Sequence, residues 1–545
     1  MVKGRDTICG AVSDCQTEVI GFLSNPVSYP GGVSEVKRID THAAIVFLAG
    51  DRAYKLKRAV KLPYLDFSTL EKRRATLAHE LEINSKISPE IYLSIVPIVK
   101  GKKGIRLGGA GKVLDWLLVM RRFGEEALFD RIAAEGRLER QCVEELAREV
   151  GRFHRQAEAK SDGTWVKNLE KIAGDLEGAL TGREAERASL HFKSYINKMK
   201  AELTARIALL SAREQAGFVR RCHGDLHLGN IVLWNGKPKL FDAIEFDDTL
   251  ATIDVLYDLA FLLMDLWHRR CKTEANMVFN HWMRGASNPE LEGLALLPLY
   301  LSMRAAIRAM TGVHSLAFRQ GKEREQTING IIDYGRLAER FLERRRPYLV
   351  AIGGLSGTGK STAAQEIAPF VGAAPGALHL RTDVERKLMY GVAIDGRLPP
   401  GAYAGAVSYK VYQRVFEKAE SALRHGHSAV VDAVFPDSGS RVKASEIAQR
   451  TDATFAGFWM DAPAWQIKDR VAARRGDASD AGVEIVEQQL KTVWPAREWI
   501  RVDASGEAGQ AASAILRVID EQAEKEETSL KEQPCRSQHE SNGSA

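Results

Sequence analysis

Residues 348–362 read Tyr-Leu-Val-Ala-Ile-Gly-Gly-Leu-Ser-Gly-Thr-Gly-Lys-Ser-Thr. From Gly354 to Ser361 this is G-x-x-x-x-G-K-[ST] in full, with an apolar strand-like run before it and a helical stretch after it. Glycines let backbone N–H groups curl around phosphate oxygens, and the helix N-terminus adds positive potential. Gly354, Leu355, Ser356, Gly357, Thr358 and Gly359 form such a loop, and Lys360, Ser361 and Thr362 open the helix. Lys360 suits the charge of the β- and γ-phosphates of ATP, and the Ser361 hydroxyl suits Mg²⁺. The bland alternative is a glycine-rich turn without a ligand; the strand before and helix after favour the nucleotide.

Working outward, apolar runs at YLVAIGG, ALHLRTD, SAVVDAVF, TFAGFWMDA and WIRVDAS alternate with helical stretches near Ser361–Val371, Tyr403–His425, Ser438–Arg450, Ala464–Arg475 and Glu484–Val493. Near-continuous apolar strands with helices between them predict an α/β domain with a parallel sheet over residues 347–520. Asp383 follows the second strand, where a phosphoryl acceptor would lie; it either accepts the acceptor's hydroxyl proton or caps a helix. Arg386, one turn on, suits an anionic group, and Asp432 at the end of the third strand suits the Mg²⁺ water shell. Arg470 and Arg474, with Arg475, precede Gly476-Asp477-Ala478-Ser479-Asp480 and read as a lid or as an ordinary basic helix end. Through G-L-S-G-T-G-K-S, R-T-D-V-E-R-K and R-R-G-D-A-S-D this half resembles P-loop kinases of the zeta-toxin, polynucleotide-kinase and gluconate-kinase type. The resemblance implies ATP-dependent transfer to a hydroxyl.

A second phosphate chemistry is written upstream. Cys222-His223-Gly224-Asp225-Leu226-His227-Leu228-Gly229-Asn230 is followed, twelve residues on, by Asp242. This spacing supplies one Asp to orient an acceptor hydroxyl and an Asn and a second Asp for Mg²⁺. Asp225 is the expected base, Asn230 and Asp242 the expected metal ligands, and His223 a brace; His227 has no assigned role. Before it, strand-like runs and a helix over Ser68–Lys86, with Ser68 and Glu71 as a capping box, predict a small α+β lobe at 33–123. Helical periodicity then dominates 124–345. Residues 33–340 resemble the aminoglycoside-phosphotransferase and choline-kinase branch of the protein-kinase-like fold, through H-G-D-x-x-x-x-N and D-A-I-E-F-D. The resemblance implies Lys55 as the strand lysine for the α/β phosphates and Glu80 as its partner, with Lys57 and Glu82 as alternatives two residues away. No G-x-G-x-x-G precedes the lysine, so Thr41-His42-Ala43-Ala44 is the possible phosphate-covering turn, which argues against a protein substrate.

The expected fold class is therefore a bilobal α+β protein-kinase-like domain followed by an α/β P-loop kinase domain. Residues 1–32 receive no structure, and the polar residues 521–545 read as a disordered tail. The order of parts resembles bacterial fusion proteins described as bifunctional aminoglycoside phosphotransferase/ATP-binding proteins. At 545 residues the chain is long enough for about three to four domains. Its 77 Lys+Arg against 71 Asp+Glu leave +6, too weak to direct it to nucleic acid or membrane. Six scattered cysteines without a C-x-x-C pair, and no basic segment followed by an apolar core at the start, lead to the expectation of a cytoplasmic protein. From Phe241 to Trp267 lie seven acidic residues and no Lys or Arg, a field that suits an amino-sugar or choline-like acceptor unless the carboxylates are structural. Asp254 and Asp258 are expected to be structural; Glu245, Asp247 and Asp248 stay open. The leading expectation is an enzyme with two ATP·Mg²⁺ sites acting on small-molecule hydroxyls. The alternatives are a polynucleotide 5′-hydroxyl kinase in the P-loop half, or one half that binds ATP only to regulate the other.

Overall fold

Alternating apolar and polar side chains build the first sheet. The structure, a computed structural model, describes residues 14–41, 43–62, 65–473 and 478–532. Strands β1 (Val36–Asp40), β2 (Ala44–Ala49) and β3 (Arg52–Lys57) run antiparallel in turn, with Gly50 at positive φ between β2 and β3. A small hairpin of β4 (Lys61–Leu62) and β5 (Leu65–Asp66) leads into the helix Leu70–Ile87. Then β6 (Tyr92–Gly101), β7 (Gly104–Leu107) and β8 (Lys112–Arg121) complete a six-stranded sheet of order β1-β2-β3-β8-β6-β7.

Two local expectations are corrected here. The helix cap is Thr69, not Ser68: the Thr69 hydroxyl accepts from Lys72 N–H at 3.3 Å, while the Ser68 hydroxyl is drawn back to Asp66. The Ser68/Glu71 capping box therefore does not form. The stretch left without structure at the start carries a helix, Asp14–Leu23, whose Val19 and Leu23 bury against Ile45, Phe47 and Leu117. Its Gln16 is buried and acts as a polar staple. The amide donates to the Lys57 carbonyl (3.0 Å) and Asp115 Oδ2 (3.1 Å) and accepts from Ala59 N–H (2.7 Å).

The rest of this unit is helical, with two short antiparallel pairs. β9 (Val219–Arg221) pairs with β12 (Thr252–Asp254), and β10 (Ile231–Trp234) pairs with β11 (Lys237–Leu240). These pairs present the loop 222–230 and the segment after Leu240. The helix Val255–His268, whose run of apolar residues is buried nearly all round, supports them from behind. Among the described residues no helix is long and apolar enough to cross a membrane.

The second unit comprises Ala275–Pro298 and the chain from Glu343 onward, described to Glu532. Its sheet is parallel throughout: β13 (Tyr348–Gly353), β14 (Leu378–Arg381), β15 (Ala429–Asp432), β16 (Thr454–Asp461) and β17 (Ile500–Asp503), in the order β14-β15-β13-β16-β17. Residues 275–298, expected in the helical lobe, group with this unit and cover the bare edge of β14. Asn280 Oδ1 accepts from His379 N–H at 2.7 Å, and the Asn276 and Asn280 amides donate to the Ala377 carbonyl at 3.0 and 3.1 Å. An open strand edge is a row of unpaired backbone groups, and two asparagines satisfy part of it. The final helix runs Ala508–Glu532, so residues 521–532 are helical rather than tail; Ile515 and Ile519 bury against the core beneath β13.

Replacing Asn280 with Ala leaves the His379 N–H without its partner. A stability loss of about 1–3 kcal/mol is expected, read as a lower urea midpoint of the full chain.

Candidate active sites

Side chains on one strand face recur every second residue, so Lys55 and Lys57 of β3 point the same way. Both reach Glu80 on the helix Leu70–Ile87: Lys55 Nζ lies 2.7 Å from Oε1 and Lys57 Nζ 2.6 Å from Oε2. Lys55 also contacts Asp242 Oδ1 at 2.6 Å, and Lys57 also pairs with Glu245. The choice between the two lysines is thereby resolved into two roles. Lys55 joins Glu80 to Asp242, and Lys57 joins Glu80 to Glu245. Glu82 is instead exposed and paired with Lys86. Burial works against a charged Lys55, but the carboxylates of Asp242, Glu80 and Glu245 outweigh it and raise its pKa well above the usual value. Burial likewise opposes ionisation of Asp242, yet Lys55 and Lys57 hold it below the ordinary carboxylate range. Glu245 is pushed up by burial and by the charge of Glu80.

Asp242 adopts φ 62°, a left-handed conformation that an aspartate tolerates better than most residues. Its N–H donates to Tyr92 Oη at 2.8 Å, and the next N–H, of Ala243, donates to Asn84 Oδ1 at 2.9 Å. Asn84 is fully buried one turn beyond Glu80, so the same helix positions both the carboxylate and the strained turn.

The loop 222–230 is held from behind by carboxylates of the helix Val255–His268. Asp258 accepts from His223 N–H (3.1 Å), Gly224 N–H (2.9 Å) and His154 Nε2 (3.1 Å), and Asp265 accepts from Leu228 N–H (3.0 Å). The His223 ring donates through Nε2 to the Phe241 carbonyl at 2.9 Å, tying the loop to the residue before Asp242. At the front, Asn230 Nδ2 donates to both the backbone oxygen and Oδ2 of Asp225, each at 3.0 Å. His227 acquires a place: Nδ1 accepts from Gly229 N–H at 3.0 Å, which leaves Nε2 facing Asp225 Oδ2 at 3.4 Å. Burial alone would raise the Asp225 pKa, but His227, His223 and Arg308 outweigh it and hold the carboxyl well below the usual range. The Asp225 side chain nevertheless stays 41% exposed.

The acidic run around this site is spoken for. Asp254 pairs with Arg213 (2.7 Å) and caps its helix, Asp248 with Arg221 (2.9 Å), Asp265 with Arg269 (3.1 Å), and Asp247 accepts from Thr249 N–H (2.9 Å). With Asp242, Glu245 and Asp258 engaged as above, each carboxylate of the run has a partner, and Asp254 and Asp258 have the structural roles expected of them. His154, Cys222 and Asp258 also place ligand-type atoms within 4.8 Å of one another, but both Asp258 oxygens already accept backbone N–H groups.

In the second unit the loop after β13 has the expected strand–loop–helix setting, with the helix Lys360–Ile367 beginning at Gly359. Gly357 sits at φ +91°, and a Cβ there would meet Val471 Cγ2 at 2.7 Å and the Ile467 carbonyl at 2.8 Å. Lys360 Nζ donates to the Leu355 carbonyl at 2.8 Å. Ser361 Oγ donates to Asp432 Oδ2, so the two residues expected at the metal stand in contact. Arg381 Nε lies 3.4 Å from the same oxygen. Burial opposes charge on Asp432, but His379, Arg381 and Lys360 hold its pKa far below the usual range.

Asp383 lies inside the helix Thr382–Met389, past the cap residue Arg381, so capping is not its role. Its pKa is raised, first by burial and then by the charge of Asp432, with Arg381 opposing. Arg386 is buried over Tyr403; Nη1 donates to the Ala402 carbonyl at 2.6 Å, and Nε is buried without a partner. Arg470 departs from the expected lid role: it donates to the carbonyls of Ala504 (2.8 Å) and Gly506 (3.2 Å), bracing the turn after β17. Arg474 and Arg475, like His42 of the phosphate-covering turn, lie outside the described residues. One contact had no sequence signal: Gln489 accepts from Ser356 N–H at 2.8 Å and donates to Ser356 Oγ at 3.1 Å, a pairing across 133 residues.

Residues 73–296 match the Phosphotransferase enzyme family and residues 349–496 match the AAA domain family. The expected architecture is present: a kinase-like domain of phosphotransferase type followed by a P-loop domain with a parallel five-stranded sheet. An uncharacterized protein of Mycobacterium tuberculosis and one of Mycobacterium bovis are each 29% identical over 462 residues, covering 82% of this chain and 88% of theirs. A choline/ethanolamine kinase family protein from Mesorhizobium loti superimposes with TM-score 0.38 and 14% identity over 60% of this chain and 95% of its own. A gluconokinase from Sinorhizobium meliloti 1021 does so with TM-score 0.25 and 19% identity over 33% of this chain and 99% of its own.

The two aspartates predict different acid limbs. A carboxyl held low stays ionised further into acid, whereas one pushed up is neutralised at a higher pH than the ordinary value of about 4. ATP turnover of the Lys360→Ala chain, which leaves the Asp225 site, should persist to lower pH than that of the Lys55→Ala chain, which leaves the Asp383 site. The reverse order would contradict the assignments.

Proposed function

We propose that the chain is an ATP-dependent phosphotransferase with two nucleotide sites, each moving the γ-phosphate to a hydroxyl of a small molecule. The observation that carries this reading is the pairing of a phosphate-facing cation with an open acceptor-side carboxylate. Lys55 is held between Glu80 and Asp242, while Asp225, fastened by Asn230, remains exposed.

At the first site Lys55 holds the α/β phosphates, and Asp225 orients the acceptor hydroxyl. Asp225 takes the hydroxyl proton as the acceptor oxygen bonds to the γ-phosphorus and the bond to the bridging β-phosphate oxygen breaks, releasing ADP. At the second site the loop of residues 354–359 and Lys360 hold the phosphates, and Asp383, with its raised pKa, is the proton acceptor. The unpartnered Nε of Arg386 suits an anionic group of that acceptor. The donors fit Mg²⁺. Asn230 turns its amide nitrogen to Asp225 and keeps Oδ1 as an acceptor, and Ser361 stands against Asp432. When bound, the ion would neutralise charge across the β- and γ-phosphates.

The test is transfer of label from γ-labelled ATP into a metabolite extract. Asp225→Asn and Asp383→Asn should each remove one set of labelled products by about 10²–10⁴-fold with ATP affinity unchanged. Wild-type transfer by both variants would show the base assignments to be wrong. Asp383-dependent labelling of oligonucleotide 5′-hydroxyl ends would instead make the P-loop half a polynucleotide kinase. Turnover that depends on only one of the two aspartates would make the other half a regulatory module.

A further inference from the structure

Near the loop 222–230 of the first site stands an arginine, Arg308, that forms no ion pair with a carboxylate among the described residues. Arg304 and Arg308 stand four residues apart on the helix Leu297–Ser315 and so share a face. Arg304 is buried and committed to the loop: Nη1 donates to the Gly224 carbonyl at 3.1 Å, beside Asp225, and the guanidinium packs 3.8 Å from the Tyr257 ring centroid. Arg308, one turn further along, is half-buried and lies 5.8 Å from the centroid of the Tyr334 ring. Tyr334 in turn stacks on His268, with centroids 4.0 Å apart and planes within 12°.

Three other arginines around this loop each have a carboxylate: Arg213 has Asp254, Arg221 has Asp248, and Arg269 has Asp265; Arg220 is spent on backbone carbonyls. Arg308 has none within 4.0 Å among the described residues, although it is near enough to Asp225 and Asp265 to interact with both charges. A guanidinium presents five N–H donors in a planar fork that matches carboxylate and phosphate oxygens.

We propose that Arg308, backed by the Tyr334–His268 stack, binds an oxyanion on the phosphoryl acceptor, so that the first site takes an acidic hydroxyl compound, a carboxylate or a phosphate monoester, rather than a cation. This rests on the reading of Asp225 as the acceptor-side base. It is compatible with the acidic run, whose carboxylates have partners of their own.

The experiment uses the full chain carrying Lys360→Ala, so that only first-site transfer counts, with a further Asp225→Asn chain as the blank. A metabolite extract is split on an anion-exchange resin into a retained acidic fraction and a neutral and cationic flow-through, and each is offered with γ-labelled ATP. Asp225-dependent label should arise from the acidic fraction alone. Arg308→Ala should cut it at least about tenfold through the acceptor KM, a loss of about 1.4 kcal/mol in binding, with the KM for ATP unchanged and partial recovery in Arg308→Lys. Phosphatase treatment of the acidic fraction separates the sources: lost label identifies a phosphate monoester, retained label a carboxylate. Asp225-dependent label from the flow-through, indifferent to Arg308→Ala, would overturn the proposal. If no fraction gives Asp225-dependent label, the base reading fails, and the anion site is judged separately by phenylglyoxal modification of Arg308 followed by mass spectrometry. Protection by inorganic phosphate then sustains the site, and modification at an unchanged rate rejects it.

Discussion

Glu80 is a carboxylate with no exposure to water, and the geometry of the first unit follows from the need to satisfy it. An ion taken out of water costs several kcal/mol unless partners replace its hydration. Here two lysines of one strand face do so, and Asp242 and Glu245 complete the cluster. The cluster joins β3, the helix Leu70–Ile87 and the segment after β11, elements up to 188 residues apart in sequence. Two cations against three carboxylates leave one negative charge in excess, and the raised pKa of Glu245 is where that excess is felt. A site so arranged keeps Lys55 charged and fixed while leaving the neighbouring loop open.

The two units solve the problem of holding phosphate by different means. In the first, charged side chains are oriented by other buried charges, and Asp258 and Asp265 hold the backbone of the 222–230 loop. In the second, the backbone shapes the site: Gly354, Gly357 and Gly359 stand at positive φ, and the close packing of Ile467 and Val471 excludes a side chain at Gly357. Asp432 then gathers Ser361, Arg381 and His379 around the far side. Electrostatics of the first kind tolerate no loss of a partner, whereas the second kind tolerates no added bulk.

Most of the fold was legible because it is written in local pattern. Parallel strands buried on both faces appear as apolar runs, and G-x-x-x-x-G-K-S needs only its immediate flanks. The closeness of Asp225 and Asn230 was legible for the same reason, as a spacing within one short stretch. Long-range pairings left no such mark. Lys55 and Lys57 were indistinguishable on strand period, and the structure uses both. Glu245, His227 and Gln489 meet partners chosen by the fold, and no neighbouring residue announces them. The acidic run left Glu245, Asp247 and Asp248 open because sequence displays charges without their partners: Arg213, Arg221 and Arg269 come from other elements or from the next turn. The asparagines at 276 and 280 were hidden likewise, since nothing local tells a helix of one lobe that it will cover a strand edge a hundred residues on.

The central claim is that one chain carries two independent nucleotide sites, one built on Lys55 and one on Lys360. Equilibrium binding of a non-hydrolysable ATP analogue with Mg²⁺ tests it most directly. The account predicts two nucleotides per chain for the wild type, one for Lys55→Ala, one for Lys360→Ala, and none for the double substitution. A single nucleotide bound by the wild type, or loss of both on one substitution, would contradict it.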